Sequence, residues 1–268
     1  MAQGERILIT GAGSGLGRAL ALRHAALGDR VVCADIEPAR ALETAAMIEA
    51  TGGHALALAV DVADPASVDT LCGEIEALWG GIDVLVNNAG VSSAGSVADT
   101  GLDIWRWTLD INLMGVVHGC RSFLPGLLAG GRGRIVNIAS FAALAGAPGI
   151  APYAVAKAGV VVLSESLRAE LDGSGVSVSV ACPSFFPTRL LESFRSPAEG
   201  YRHMAGKLMA ASRTDADSVA RIIIEQARAG RFLILPTPGE AGRWRLKRWL
   251  PSVYHRLLMR RVRARRRR

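Results

Sequence analysis

Tyr153 and Lys157 close the run Tyr153-Ala154-Val155-Ala156-Lys157, a four-residue spacing that sets both side chains on one face of a helix. The pair joins a phenol, an acid with an ordinary pKa of about 10, to an ammonium group. A cation about 4 Å away is worth roughly 4 kcal/mol at an effective dielectric of about 20, and about 1.4 kcal/mol is one pKa unit. The spacing therefore predicts a phenol drawn towards neutrality by Lys157, able to give or take a proton near physiological pH. Tyr-x-x-x-Lys is common by chance. The pair gains meaning only if the rest of the chain supplies something for the acid to act on.

A carrier for the other half of such a reaction is written near the start. Arg6 to Thr10 (RILIT) is a short apolar run read as a buried strand, and it leads into Gly11-Ala12-Gly13-Ser14-Gly15-Leu16-Gly17 and an Ala/Leu-rich helix to Leu27. Strand, glycine turn and helix in that order bring backbone N–H groups and a helix N-terminus to a pyrophosphate. The next strand, Arg30 to Ala34, ends at Asp35, about 20 residues on, where a carboxylate accepts from a ribose 2′-OH. Asp35 also repels a 2′-phosphate, and neither Ser14 nor Ile36 is a basic residue. The expected cofactor is NAD rather than NADP, contacted by Gly11, Ser14, Gly15, Leu16, Gly17, Asp35 and Ile36. Arg18 is read as a surface charge.

These groups need a scaffold, and the chain alternates strands with helices throughout. Helices are expected over Pro38–Ala50, Pro65–Trp79 and Asp215–Ala229, and strands over His54–Val60, Ile82–Val86, Arg134–Ile138, Val176–Cys182 and Phe232–Leu235. A long helical region, 102–128, is expected to break near Gly115. Phe141–Pro152 is read as a loop, and the Tyr153 helix as running to about Leu171. The alternation predicts an α/β fold: a doubly wound parallel Rossmann sheet of about seven strands with helices on both faces. The expected organisation is one domain over 1–240 followed by a tail, 241–268. Trp105 and Trp107 are assigned to packing or a subunit interface.

Composition narrows the class. Half of the 268 residues are apolar, enough for a large core. The four cysteines are scattered without a C-x-x-C pair, and the histidines lack ligand spacing, so reduced thiols and no metal site are expected. MAQGERILIT has no signal-peptide pattern, and no apolar run is long enough to span a membrane; a cytoplasmic location is expected. The net charge of +7 is a tail property: residues 241–268 carry twelve Lys/Arg and no Asp or Glu. Setting those twelve aside leaves 19 basic against 24 acidic residues in the body.

Residues 5 to roughly 235 resemble the short-chain dehydrogenase/reductases in their compact single-domain branch. Thr10-Gly11-x-x-x-Gly15-x-Gly17 is similar to that family's cofactor turn, Asp61-Val62 to its adenine contact, and Asn87-Asn88-Ala89-Gly90 to the turn supporting its central sheet. Asn112, Ser140, Tyr153 and Lys157 fall in the order and spacing of its catalytic set. The resemblance implies hydride transfer between nicotinamide and a substrate carbon, with Tyr153 as general acid/base and Ser140 holding the substrate oxygen. Lys157 would lower the phenol's pKa and hold the cofactor ribose, while Asn112 holds a water linking Lys157 to solvent. It also implies cofactor contacts at Asn88, Ala89, Gly90, Pro183, Phe186 and Thr188. One departure stands out: Pro183 is followed by Ser184 where the family usually has Gly. The implied activity is that of an NAD-dependent alcohol dehydrogenase or carbonyl reductase; the alternatives are a non-catalytic nucleotide-binding sensor or scaffold, a membrane-associated lipid- or steroid-type dehydrogenase using the basic tail, and an epimerase or dehydratase.

The same resemblance puts a mobile substrate flap at 183–214, here rich in apolar residues. With Ala142, Leu144, Ile150, Phe185 and Leu190 as expected pocket walls, the substrate is read as an apolar secondary alcohol or ketone. A homodimer or homotetramer is the family habit. In the tail, Leu246, Trp249, Leu250, Val253, Leu257 and Leu258 recur at helical spacing among arginines, with Pro251 starting a second helix or kinking one. Three readings stay open for it: an anionic membrane surface, a neighbouring subunit, or a solvated arginine end. Nucleic acid is not expected.

Overall fold

The computed structural model describes residues 4–266. Its strands are β1 (Arg6–Thr10), β2 (Arg30–Asp35), β3 (His54–Ala59), β4 (Val84–Asn87), β5 (Gly133–Ile138), β6 (Val176–Ala181) and β7 (Leu233–Ile234). They form one seven-stranded sheet in the order β3-β2-β1-β4-β5-β6-β7, every pairing parallel. Successive residues of a strand face opposite sides, and β1 is apolar on both: Leu8 enters one core layer, Ile7 and Ile9 the other. Such a strand must sit in the middle of a sheet covered on both faces.

Helices supply that cover. On the Ile7/Ile9 face lie α1 (Gly15–Ala26), α2 (Pro38–Glu49) and α9 (Ala216–Arg228), through Leu20, Ile48, Val219, Ile223 and Ile224. On the Leu8 face lie α3 (Pro65–Trp79), α5 (Gly115–Ala129) and α7 (Ala151–Glu170), through Leu71, Ile75, Val116, Phe123, Val160 and Leu167. Their ends are set locally. Asp64 accepts from the Ala66 N–H with Pro65 in the first turn of α3, and Gly80 ends that helix at φ 69°. Asp215 caps α9 through the Ser218 N–H.

Three segments differ from expectation. The 102–128 region is α4 (Leu102–Leu109), a π-helical stretch Asp110–Met114, then α5; the break precedes Gly115 and contains Asn112. The expected loop after Ser140 begins with a short helix, α6 (Phe141–Ala145), because Ser140 caps it and Gly146 ends it at φ 63°. The flap contains a 3₁₀ turn, Arg189–Leu191, and a further helix, α8 (Glu199–Ala210). In the tail, α10 (Glu240–Trp249) is followed by α11 (Pro251–Arg266), with Pro251 opening the second helix. Arg267 and Arg268, the end of the basic run, lie outside the described residues, as do Met1 to Gln3.

At the amino ends of the strands a polar knot joins distant parts of the chain. His24 Nδ1 lies 2.8 Å from Asp29, both buried, and Arg228 reaches the same carboxylate at 2.5 Å. Glu5 pairs with Arg134 and stands 3.5 Å from Arg228. Burial holds the His24 pKa below its usual value despite Asp29.

Candidate active site

At the opposite end, the strands' carboxyl ends carry the glycine turn. Gly11 has φ 66°, and a Cβ there would come 2.8 Å from the Ala89 Cα; a Cβ on Gly17 would overlap the Gly11 carbonyl oxygen. Thr10 and Asn88 lock this turn to the end of β4. The Thr10 hydroxyl accepts from the N–H groups of Asn88 and Ala89, both at 3.1 Å, while Asn88 Nδ2 donates to the carbonyls of Thr10 and Gly11 at 2.9 and 3.2 Å. Asn88 therefore shapes the turn through its side chain. Ser14 makes no side-chain cap, which leaves the first N–H groups of α1 without one.

Asp35 ends β2 beside this turn. One of its carboxylate oxygens accepts from the Gly13 N–H at 2.8 Å and the other from the Glu37 N–H at 3.0 Å. Ile36 next to it is exposed. Arg18, expected as a loose surface charge, instead braces the turn: it donates to the Gly13 carbonyl at 2.6 Å and pairs with Glu43 at 2.6 Å. Its i+7 distance from Gly11 in sequence offered no hint of that return. Arg40 pairs with Glu192 of the flap at 3.1 Å. Farther along the same edge, Asp61 accepts from the Ala63 N–H and is exposed, whereas Val62 is buried against Gly115.

Asn112, fully buried in the π-helical stretch, spends its amide on one residue. Val91 N–H donates to Oδ1 at 2.8 Å, and Nδ2 donates to the Val91 carbonyl at 2.9 Å. A Cβ built on Gly90 would stand 2.7 Å from Asn112 Oδ1 and 3.4 Å from Lys157 Nζ, so both side chains converge on that glycine. Lys157 is buried on α7 and donates to the Ile138 carbonyl at 2.8 Å. Burial lowers its pKa to about 8. Ser140, at the end of β5, accepts from the Ala142 N–H at 3.2 Å and donates to the Pro183 carbonyl at 3.4 Å.

The expected tuning of the phenol is corrected here. Tyr153 is half-buried, and burial holds its pKa above the usual value. The neighbouring Ser140 hydroxyl acts in the other direction. In this arrangement Lys157 donates to the Ile138 carbonyl, and desolvation outweighs its charge at the phenol. Spacing on a helix fixes a shared face, not where two flexible ends point. Cys182, which the sequence reading left among the bland thiols, is buried next to both Lys157 and Ser140, and burial pushes it up to about 12.

The flap closes over this end. Thr188 packs within 3.4 Å of the Cβ position of Gly15, and its hydroxyl caps the 3₁₀ turn through Leu190 N–H. Pro183 and Phe186 are buried, with the Phe186 ring in the core layer under α9. Arg195 N–H donates to the Ser92 carbonyl, Ala94 N–H to the Arg195 carbonyl and Gly95 N–H to the Gly149 carbonyl, so flap, 92–95 loop and the segment before Tyr153 are stitched together. Arg195 also stacks on Trp107 at 4.0 Å. Of the expected pocket walls, Ala142, Ile150 and Leu190 are half-buried and Phe185 is exposed; Leu144 packs against the core layer of α7.

Behind the flap root, Ser184 N–H donates to the Thr237 hydroxyl at 2.8 Å. Glu240, 1% exposed, pairs through Oε1 with Arg243 at 3.1 Å, while among the described residues Oε2 has no hydrogen-bond partner. Burial raises its pKa; the Thr237 and Ser184 hydroxyls lie close enough to temper that rise without bonding Oε2. The tail then docks on α6: Lys247 Nζ donates to the Leu144 carbonyl at 2.7 Å, Tyr254 donates to the Ala145 carbonyl at 2.9 Å, and Arg243 stacks on Phe141. Among the described residues no group of three His, Cys, Asp or Glu could hold a metal, and no helix is long and apolar enough to cross a membrane.

Residues 5–199 match the family profile described as short chain dehydrogenase. The chain is 35% identical over 256 residues to the probable oxidoreductase EphD of Mycobacterium tuberculosis, covering 92% of the chain and 43% of that relative; it thus spans less than half of that protein's length. It is 40% identical over 184 residues to the meso-2,3-butanediol dehydrogenase of Serratia marcescens, covering 69% of the chain and 72% of the relative. A short-chain dehydrogenase/reductase from Burkholderia phymatum, solved in complex with NAD, superposes with a TM-score of 0.88 at 31% identity, covering 94% of this chain and 96% of the other. Profile, sequence relatives and superposition agree on one assignment: this chain belongs to the short-chain dehydrogenase family of oxidoreductases.

Proposed function

We propose that the chain is an NAD-dependent oxidoreductase that interconverts an apolar secondary alcohol and its ketone, with Tyr153 as general acid/base. The observation that carries the reading is the convergence of Ser140, Tyr153, Lys157 and Asn112 on the strand ends next to the glycine turn. The residues present fit a dinucleotide. The turn has no room for side chains at Gly11 and Gly17, and the N-terminus of α1 carries no side-chain cap. Gly11, Ser14, Gly15, Leu16 and Gly17 would hold the pyrophosphate, Asp35 and Ile36 the adenosine ribose, and Asp61 and Val62 the adenine. Asn88, Ala89 and Gly90 would back the nicotinamide ribose, with Pro183, Phe186 and Thr188 at the carboxamide. Two facts favour NAD over NADP. Asp35 places its carboxyl group at this edge, and the adjacent Arg18 and Arg40 are paired with Glu43 and Glu192. A 2′-phosphate would have to displace one of those carboxylates.

When bound, the dinucleotide accepts or returns the hydride; the chain's own groups handle the proton. In alcohol oxidation the Tyr153 oxygen takes the substrate's hydroxyl proton, and in reduction it gives it back. Ser140 donates to the same substrate oxygen and stabilises its developing negative charge. Lys157 supplies the positive charge that a phenolate at Tyr153 needs nearby, by turning from the Ile138 carbonyl. The apolar substrate class rests on the flap, where Phe185 and Met204 are exposed and Leu190 half-exposed. The names of similar proteins, a butanediol dehydrogenase and several ketoacyl reductases, bracket alcohols and ketones as the reacting groups. A homodimer is the assembly we favour: Val155 and Val162, two turns apart on α7, are 50% and 60% exposed.

The test is a panel of secondary alcohols with NAD and NADP, following nicotinamide absorbance and cofactor affinity. NADH formation with apolar alcohols is expected. Tyr153→Phe should lower turnover by about 10²–10⁴-fold while NAD affinity changes little. Preference for NADP, turnover confined to small polyols, or full activity in Tyr153→Phe would each defeat its part of the reading.

A further inference from the structure

We propose that α10 and α11 form an interfacial anchor that seats this protein on an anionic bilayer surface. The charge is concentrated there. All twelve basic residues of 241–268 stand without a single acidic residue among them, on a chain whose remainder is net acidic. Arg245, Arg248, Arg256, Arg260, Arg261 and Arg263 are exposed, and among the described residues none of them joins an ion pair. In the body several arginines are paired, as Arg6, Arg18, Arg23 and Arg228 are.

Apolar surface lies among those charges. Trp249 is 76% exposed, Leu250 54% and Leu257 44%. Trp249 and Leu250 form the corner between the two helices, and on α11 Val253 and Leu257 share a face one turn apart. Indole and leucine side chains left in water beside guanidinium groups match the boundary between lipid headgroups and acyl chains. Other side chains of the tail hold it to the body. Lys247 and Tyr254 hold the carbonyls of Leu144 and Ala145, and Arg243 stacks on Phe141. These contacts orient the tail, so its outward face is a built surface and not a loose end.

Charge complementarity selects the occupant. An anionic bilayer satisfies the arginines through its headgroups and the Trp249, Leu250 and Leu257 side chains through its acyl boundary, whereas a phosphate backbone alone leaves the latter in water. A second copy meeting this face with its own tail would bring like charges together. The acidic body, repelled by the same surface, leaves the tail as the contacting side. This inference does not depend on the substrate assigned above, because its readout is lipid binding.

Sedimentation of the full chain with vesicles of phosphatidylcholine, alone or mixed with phosphatidylglycerol, tests it. Binding to the mixed vesicles is expected, at least about tenfold weaker on phosphatidylcholine alone and lost at high salt. Trp249→Ser/Leu250→Ser/Leu257→Ser and Arg256→Gln/Arg260→Gln/Arg261→Gln should each lose about tenfold or more with an unchanged melting temperature. Absent or charge-independent binding, or wild-type binding by either variant, overturns the proposal. So does tighter binding to a DNA duplex than to the vesicles, which assigns the face to nucleic acid. A dimer split by the apolar triple variant, without vesicle binding, assigns it to a second copy instead.

Discussion

Lys157 is a cation kept out of water, and its stability effect has a definite sign. Its pKa falls from the usual 10.5 to about 8 in the folded chain, so the unfolded chain holds the proton more tightly between those values. Below pH 8 both states carry the charge and burial is at its most costly. As pH rises from 8 to 10.5 the folded lysine is neutral while the unfolded one is still charged, and folding gains about 1.4 kcal/mol per pH unit, about 3 kcal/mol in all. The buried thiols, pushed up to about 12, bend the curve the other way above pH 9. The measurement is therefore a difference: denaturant stability of wild type minus Lys157→Met should climb across pH 8–10.5. A flat difference would show that the lysine is not desolvated. Residue identity and order were readable from the chain: the glycine turn, Asp35 and the Tyr153–Lys157 pair by spacing, Ser140 through the family resemblance. The electrostatics were not, because the Ile138 carbonyl that captures Lys157 comes from a strand 19 positions earlier.

At the level of elements, β4, β5 and α7 are tied by a buried polar chain. Asn87 Nδ2 donates to Asn137 Oδ1 at 2.9 Å, Asn137 Nδ2 donates to Ser164 at 3.0 Å, and Ser164 donates to the Val160 carbonyl at 2.7 Å. This chain fixes the helix that carries Tyr153 against the strands that lead into Asn88 and Ser140. Asn137→Leu removes the central member and strands two buried partners, which costs about 1–3 kcal/mol for each group left unsatisfied. Chemical denaturation should show that loss, and an unchanged midpoint would mean the network contributes nothing. The strands were legible as short apolar runs, whereas their order in the sheet comes from the structure. The π-helical stretch and α6 were not legible. A one-residue widening of a helix leaves no compositional mark, and α6 exists only because Ser140 and Gly146 cap five residues that read as loop.

On the scale of the whole molecule, the tail returns to the site. Lys247 and Tyr254 occupy the last carbonyls of α6, more than 100 residues away in sequence, and α6 joins Ser140 to the segment before Tyr153. Removing both donors with Lys247→Met/Tyr254→Phe costs about 1–3 kcal/mol of local order. Faster amide exchange over 141–150 and a severalfold rise in KM with little change in kcat are the expected results. Equal exchange in both proteins would uncouple the tail from the site. The basic composition of the tail was plain from the sequence; its docking partner was not, since the acceptors are backbone carbonyls that any sequence would present.

The thiol of Cys182 offers a clock. It is fully buried between Ser140 and Lys157, and with its pKa pushed up to about 12 almost none is thiolate at neutral pH. A small alkylating reagent can modify it only during the moments when Pro183 and the flap root lift away. Its labelling rate, read by mass spectrometry against half-buried Cys72, therefore counts openings of the site. Saturating NAD should slow that count about tenfold or more if the dinucleotide holds the flap shut, and an unaltered rate would show that the flap moves independently of the cofactor.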